Sequence, residues 1–143
     1  MEGPSLVILT EELAPFVGRR VVTATGNANL DFARLRRKTL RAATSWGKHL
    51  LLEFDDAIVR IHFLMFGSYR IDERRDREPR LALTFAKGEV NFYTCAARLL
   101  GEGERERYDW SIDVMSPAWD AAAARRRVRG RAGELVCDAL MDQ

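Results

Sequence analysis

Between Arg20 and Tyr93 the apolar residues return at every second position, one segment after another, and this alternation constrains the fold more than any other feature of the chain. A period of two puts all apolar side chains on one face of a strand, so each segment predicts a half-buried strand. Residues 20–25, 39–45, 49–54 and 57–63 read this way, with Asp55-Asp56 as the turn between the last two. Leu50, Leu52 and Phe54 share one face, as do Val59, Ile61 and Phe63. Leu81, Leu83 and Phe85 alternate next, followed by a turn at Lys87-Gly88 and a further strand over residues 90–93. Adjacent hairpins of this kind pair antiparallel, which predicts a sandwich or barrel core and excludes a parallel α/β sheet.

Helices are predicted at both ends. Leu6, Leu9, Leu13 and Phe16 recur at helical spacing opposite Glu11 and Glu12, in a helix that starts near Pro4 and is closed by Gly18. Near the other end, residues 121–128 favour helix. Residues 134–141 form an amphipathic segment through Leu135, Val136, Ala139 and Leu140. This last pattern runs into Gln143 with no capping glycine. That predicts an apolar edge normally covered by following sequence, and self-association of the chain through it.

With 143 residues, 47% of them hydrophobic, the chain suits one domain with a proper core. Cys95 and Cys137 form no C-x-x-C pair and fit a reducing compartment. No apolar run approaches the ~20 residues of a membrane span, and Glu2 sits where a signal peptide carries positive charge. A soluble intracellular protein with no membrane partner is expected. The net charge is only +2, but residues 32–52 hold Arg34, Arg36, Arg37, Lys38, Arg41 and Lys48 with no acid. A second cluster comprises Arg125, Arg126, Arg127, Arg129 and Arg131. Such segregation suits phosphate contacts on one face, and it equally suits a solvated arginine-rich surface.

The common catalytic signatures G-x-x-x-x-G-K-[ST], G-x-S-x-G and H-E-x-x-H are absent, and His49 and His62 are the only histidines. Three local features carry possible chemistry. Met1-Glu2-Gly3-Pro4 places an α-amine, nucleophilic when unprotonated near neutral pH, beside a carboxylate able to move protons. Trp46-Gly47-Lys48-His49 leads into a strand and offers Lys48 to a phosphate. The run Ile61-His62-Phe63-Leu64-Met65-Phe66-Gly67 sets bulky apolar residues before a glycine. As a loop tip, such residues wedge between bases and fill the gap left by an extruded nucleotide. The plain alternatives are a chain terminus, an exposed strand-end lysine, and a strand continuing through the core.

Taken in series, these segments resemble the N-terminal domain of the formamidopyrimidine-DNA glycosylase / endonuclease VIII family. That family opens Met-Pro-Glu-Gly-Pro, against Met1-Glu2-Gly3-Pro4 here. Its Gly-Lys-[aromatic]-Leu-Leu strand is similar to Gly47-Lys48-His49-Leu50-Leu51, and its His-x-x-Met-x-Gly loop to His62 through Gly67. Its late Asp-Val/Leu segment resembles Asp113-Val114. The Leu-Leu-Asp-Gln that opens its second domain resembles Leu140-Met141-Asp142-Gln143.

The resemblance implies an α+β fold: a two-layer antiparallel β-sandwich with an N-terminal helix and C-terminal helices. Residues 1–120 would form the sandwich domain, and 121–143 a linker and the start of a helix–two-turn–helix domain. It implies a base-excision DNA glycosylase/AP lyase in the bacterial cytoplasm, associated with the nucleoid. Its partner is double-stranded DNA carrying a damaged base or abasic site. By the same resemblance the amine of Met1 takes the nucleophile's place and Glu2 matches the catalytic carboxylate. Lys48 matches the lysine near the target phosphate, and Leu64, Met65 and Phe66 match the void-filling positions. Arg34 and Arg37 are candidate DNA contacts. No cofactor is expected in this chain, since the family's zinc finger would lie beyond residue 143.

Two departures stand out. Met1 occupies the position of the family's nucleophilic proline, and initiator methionine is rarely removed before a large acidic residue. The helix–two-turn–helix domain and zinc finger are not within the 143 residues. In place of the purine-directed Asp-Pro-Arg-Arg-Phe segment the chain has Thr94-Cys95-Ala96-Ala97-Arg98, closer to the branch that prefers oxidised pyrimidines. The alternative function is a non-catalytic DNA-binding module, or an inactive fragment lacking the proline nucleophile.

Overall fold

Helix α1, Gly3–Leu13, begins where Pro4 presets a helical backbone, and the Leu6 amide closes its first turn on the Glu2 carbonyl at 3.1 Å. Its predicted apolar stripe is real: Leu6, Leu9 and Leu13 are fully buried, each such burial contributing roughly 1.5–3 kcal/mol. A 3₁₀ turn, Ala14–Phe16, delivers Phe16 to the core before Gly18 turns the chain at φ +83°. The computed structural model describes residues 1–141, with side chains through residue 138.

Six strands follow: β1 (Val21–Thr25), β2 (Leu40–Trp46), β3 (His49–Phe54), β4 (Ile58–Ile71), β5 (Leu81–Phe85) and β6 (Glu89–Leu99). All pairings are antiparallel, in the order β1-β5-β6-β4-β3-β2. The α+β class is as expected. Where the resemblance implies two layers, however, the strands join one continuous curled sheet. The cause is the length of β4 and β6, which pair with each other on both sides of an irregularity and so carry hydrogen bonding across the whole sheet. The curl brings the outer strands together, through the Arg20↔Thr39 bridge and the Val21 amide on the Lys38 carbonyl at 2.8 Å.

The inward faces match the alternation. Leu50, Leu52 and Phe54, then Val59, Ile61 and Phe63, then Leu81, Leu83 and Phe85 all enter one core beneath α1. Two strands extend beyond their expected ends. β4 continues past Phe63 to Ile71, and β6 runs on to Leu99. Register is kept at Phe63↔Cys95 and again at Ser68↔Tyr93, so Leu64, Met65, Phe66 and Gly67 face a single residue, Thr94. The apolar run is therefore both strand and protrusion, a bulge of four against one.

After β6 the chain crosses the outside of the sheet through short 3₁₀ turns to α2 (Ala121–Arg129) and α3 (Val136–Met141). Leu135 and Val136 are exposed, as the expected apolar edge requires, whereas the side chains of Ala139 and Leu140 lie outside the described residues. Among the described residues no helix is long and apolar enough to cross a membrane.

Candidate active site

The start of α1 and the β2–β3 turn meet at one end of the sheet. Gly47 and Lys48 form the two-residue turn, with Gly47 at φ +54°, the left-handed conformation that such tight connections draw on. A Cβ on Gly3 would lie 3.5 Å from both the Gly47 carbonyl oxygen and Met115, so the first helical residue rests directly on the turn. This apposition sets the Lys48 Nζ 3.3 Å from the Glu2 carboxylate, with the Glu2 side chain largely exposed and that of Lys48 half-buried. Met1 packs partly against the core beside them.

A buried carboxylate secures the turn from behind. Asp113 accepts from the Gly47 amide at 3.4 Å and from the Met115 amide at 3.0 Å, and the Trp46 indole donates to the Asp109 carbonyl at 2.9 Å. Asp113 belongs to the Asp-Val segment of the resemblance, but its holding role has no local signal. Its partner Gly47 is 66 positions away.

From Met1 an open groove of about 520 Å³ runs along Gly67, Ser68, Tyr69, Arg70 and Ile71, with Glu12 and Glu73 at its margin. The α-amine end of the chain and the foot of the β4 protrusion thus line one groove. The tip is solvent-facing: Leu64 is 48% exposed, Met65 80% and Phe66 86%, with Phe66 at φ +64°. Gly67 permits this, because a Cβ there would fall 2.8 Å from the Leu64 and Thr94 carbonyl oxygens. Along the groove Tyr69 donates its hydroxyl proton to Glu12 at 2.6 Å; burial, then the bond to that anion, push its phenol up to about 12.

The two candidate arginines lie elsewhere. Lys48 and Arg37 lie beyond opposite ends of the seven-residue β2, a strand about 20 Å long at 3.3 Å per residue. Arg37 lines a separate groove of about 800 Å³ with Arg19, Arg20, Arg36 and Lys87. Arg34 donates to the Asp56 carbonyl at 3.2 Å. The acid-free cation run is partly neutralised in three dimensions, through Lys38–Asp56 at 2.8 Å and Arg41–Asp55 at 2.6 Å. Among the described residues no group of three or more His, Cys, Asp or Glu side chains is placed to hold a metal ion.

The sequence profile of the Formamidopyrimidine-DNA glycosylase N-terminal domain matches residues 2–101. The chain belongs to this family. Within the glycosylase family, mouse Endonuclease 8-like 3 is 30% identical over 105 residues, covering 68% of this chain and 17% of its own length. The bovine protein of that name is 29% identical over 126 residues, covering 82% and 21%. The chain thus spans about a fifth of the curated relatives it matches. Among solved structures, Lactococcus lactis Fpg bound to DNA containing an abasic site superposes with a TM-score of 0.66 at 21% identity, over 76% of this chain and 46% of that one. The complex of its G226P mutant with Fapy-dG DNA gives 0.65 at 22%, over the same shares. These likenesses establish the fold of the glycosylase domain.

Proposed function

We propose that the chain is the N-terminal domain, residues 1–120 with a following linker, of a base-excision DNA glycosylase/AP lyase acting on oxidised bases, with a lean to pyrimidines. The observation that carries this reading is the Glu2–Lys48 ion pair beside Met1, together with a groove that Met1 lines jointly with Gly67 and Ser68 at the foot of the exposed Leu64–Met65–Phe66 protrusion. The amine of Met1 attacks C1′ of an extruded nucleotide, and its lone pair forms the new bond as the base leaves. Ring opening then gives a Schiff base, from which elimination cleaves the strand. Glu2 relays protons at the sugar and Lys48 holds the adjacent phosphate. The exposed apolar tip fills the space left in the duplex. Family membership and the DNA-bound Lactococcus lactis relatives support duplex DNA with a damaged base or abasic site as the partner.

Borohydride reduction in the presence of abasic-site duplex tests this reading, because the exposed aldehyde needs no base recognition. A covalent protein–DNA adduct is expected. Its absence would overturn the enzymatic reading in favour of the second one, a non-catalytic DNA-binding module. Met1 favours that alternative, since its thioether side chain packs where the family places a compact ring. A gel shift at two salt concentrations checks the module: binding through phosphates weakens steeply as salt rises.

A further inference from the structure

Behind the hairpin that carries Lys48, on the outer face of the sheet, the chain forms a further, partly open cavity of about 310 Å³, at the lower end of ligand-site volumes of roughly 300–1,000 Å³. Leu50, Leu52 and Phe54 of β3 face the core, so alternation turns His49 outward. Pairing sets Arg60 of β4 opposite Leu51 and Arg98 of β6 opposite Arg60. The segment after β6 folds over this face. The Tyr108 hydroxyl comes 3.3 Å from His49 Nδ1, the His62 ring lies 5.4 Å from that of His49, and Arg107 and Arg127 complete the rim.

The charge here is unbalanced. Glu104 is the only carboxylate among the lining residues, and Arg98 engages it through two hydrogen bonds of 2.8 and 2.7 Å. Among the described residues, no ion pair involves Arg60 or Arg107. The Arg60 Nε–H is buried and makes no hydrogen bond, although the same guanidinium interacts with the Tyr108 hydroxyl. A buried, unsatisfied charged donor is costly, and an anion relieves that cost. The imidazole of His49 responds to the same field: burial first, then Arg60, His62 and Arg98, hold it down to about 4.

We propose that this cavity binds a phosphate group, free or terminal, with Arg60 and Arg107 as its charge partners and the Tyr108 hydroxyl as a further donor. Two guanidinium groups outside any close ion pair suit a dianion with several acceptor oxygens, and paired N–H donors match phosphate geometry. Trp46 and His49 bracket Gly47-Lys48, so an occupied pocket steadies the turn that presents Lys48. The same chemistry is offered by free phosphate and by the terminal phosphate of a nucleic-acid strand.

The test titrates inorganic phosphate into the chain at pH 7 and constant ionic strength, following the His49 ring by NMR. A saturable shift is expected, absent with chloride. Arg107→Gln, at an exposed position that leaves the fold intact, weakens binding by about fivefold or more, and Arg60→Gln by about tenfold. Saturating phosphate, anionic over the whole range, also raises the His49 pKa by about half a unit or more. Two oligonucleotides then separate the sources. Tighter binding of a 5′-phosphorylated strand than of its unphosphorylated twin assigns the site to strand ends. Equal binding of the two, with free phosphate saturating, assigns it to the free anion. No saturable shift from phosphate or from the phosphorylated strand, an equal shift with chloride, or unchanged phosphate affinity in Arg107→Gln would each overturn the proposal.

Discussion

The carboxylate of Glu2 stands 3.3 Å from the ammonium of Lys48, joining the first residues of a helix to the turn of a hairpin that packs against it. Glu2 is largely exposed and Lys48 about half so, and solvent screening holds the contribution of this pair to about 1 kcal/mol or less. Lys48→Ala is therefore expected to leave the urea midpoint nearly unchanged. It should lower the yield of borohydride adduct on abasic DNA by about tenfold without abolishing it, if the proposed role of the lysine, to position phosphate and not to attack, holds. Glu2→Gln should let the adduct form and slow strand cleavage, proton transfer being a separate step. Parallel denaturation and gel assays separate these effects.

A proline inserted between Met1 and Glu2 restores the family opening and allows removal of the initiator methionine. Adduct yield should rise by well over about tenfold, from a secondary amine of compact shape at the helix start. Mass spectrometry confirms the processed terminus. An unchanged yield would mean that the side chain of Met1 is not what restrains the reaction.

Asp113 ties Gly47 and Met115 through one buried carboxylate. Asp113→Ala leaves two amides without an acceptor and should cost about 1–3 kcal/mol in a denaturant titration, with Asp113→Asn costing less. Adduct yield should fall alongside, since the Lys48 turn loses its backing. A wild-type midpoint in Asp113→Ala would contradict the role assigned here.

The protrusion separates shape from stability. Gly67→Ala drives a methyl against two backbone carbonyls and should destabilise by about 1–3 kcal/mol. Phe66→Ser, at the tip, should change stability by less than about 0.5 kcal/mol. It should nonetheless weaken binding to a duplex with an extruded nucleotide more than binding to intact duplex, as a competition gel shift would reveal.

Much of this was readable in advance wherever one face of an element is buried and its contacts are local in pattern. The leucines of α1 and the inward residues of β3 to β5 follow simple periodicity, and Asp55-Asp56 makes the turn it was expected to make. Periodicity fails only in the later parts of β4 and β6, for a physical reason. Inward positions on β6 are even at Val90 and Phe92 but odd at Cys95 and Ala97, because Thr94, at φ +50°, shifts the alternation by one. Read along the chain, that shift and the apolar run opposite it look like strand ends. The grouping of Met1, Glu2 and Lys48 came from motifs taken in series. The holding role of Asp113, and the pairing of Asp56 and Asp55 with Lys38 and Arg41, depend on contacts distant in sequence and carry no local signature.

Acid should loosen the outer face of the sheet in two stages. The folded pKa of His49, about 4, lies below its ordinary 6.5, so the unfolded chain binds the proton more readily. Stability is thus full above about pH 6.5 and declines as pH falls towards 4. Glu104, drawn down to about 2 by Arg98 and the Gly101 amide, contributes above its ordinary pKa of about 4.5 and loses that contribution as pH falls from 5 towards 2. Melting temperatures across this range should drop in both intervals, and His49→Asn should flatten only the upper one.

The bulge of four against one is clamped at both feet, at Phe63 by Cys95 and at Ser68 by Tyr93, while its tip touches nothing in the core. A projection held this way is an interchangeable part. Its side chains can change without a matching change in the scaffold, so that what the domain presents to solvent at this tip can vary apart from what keeps it folded.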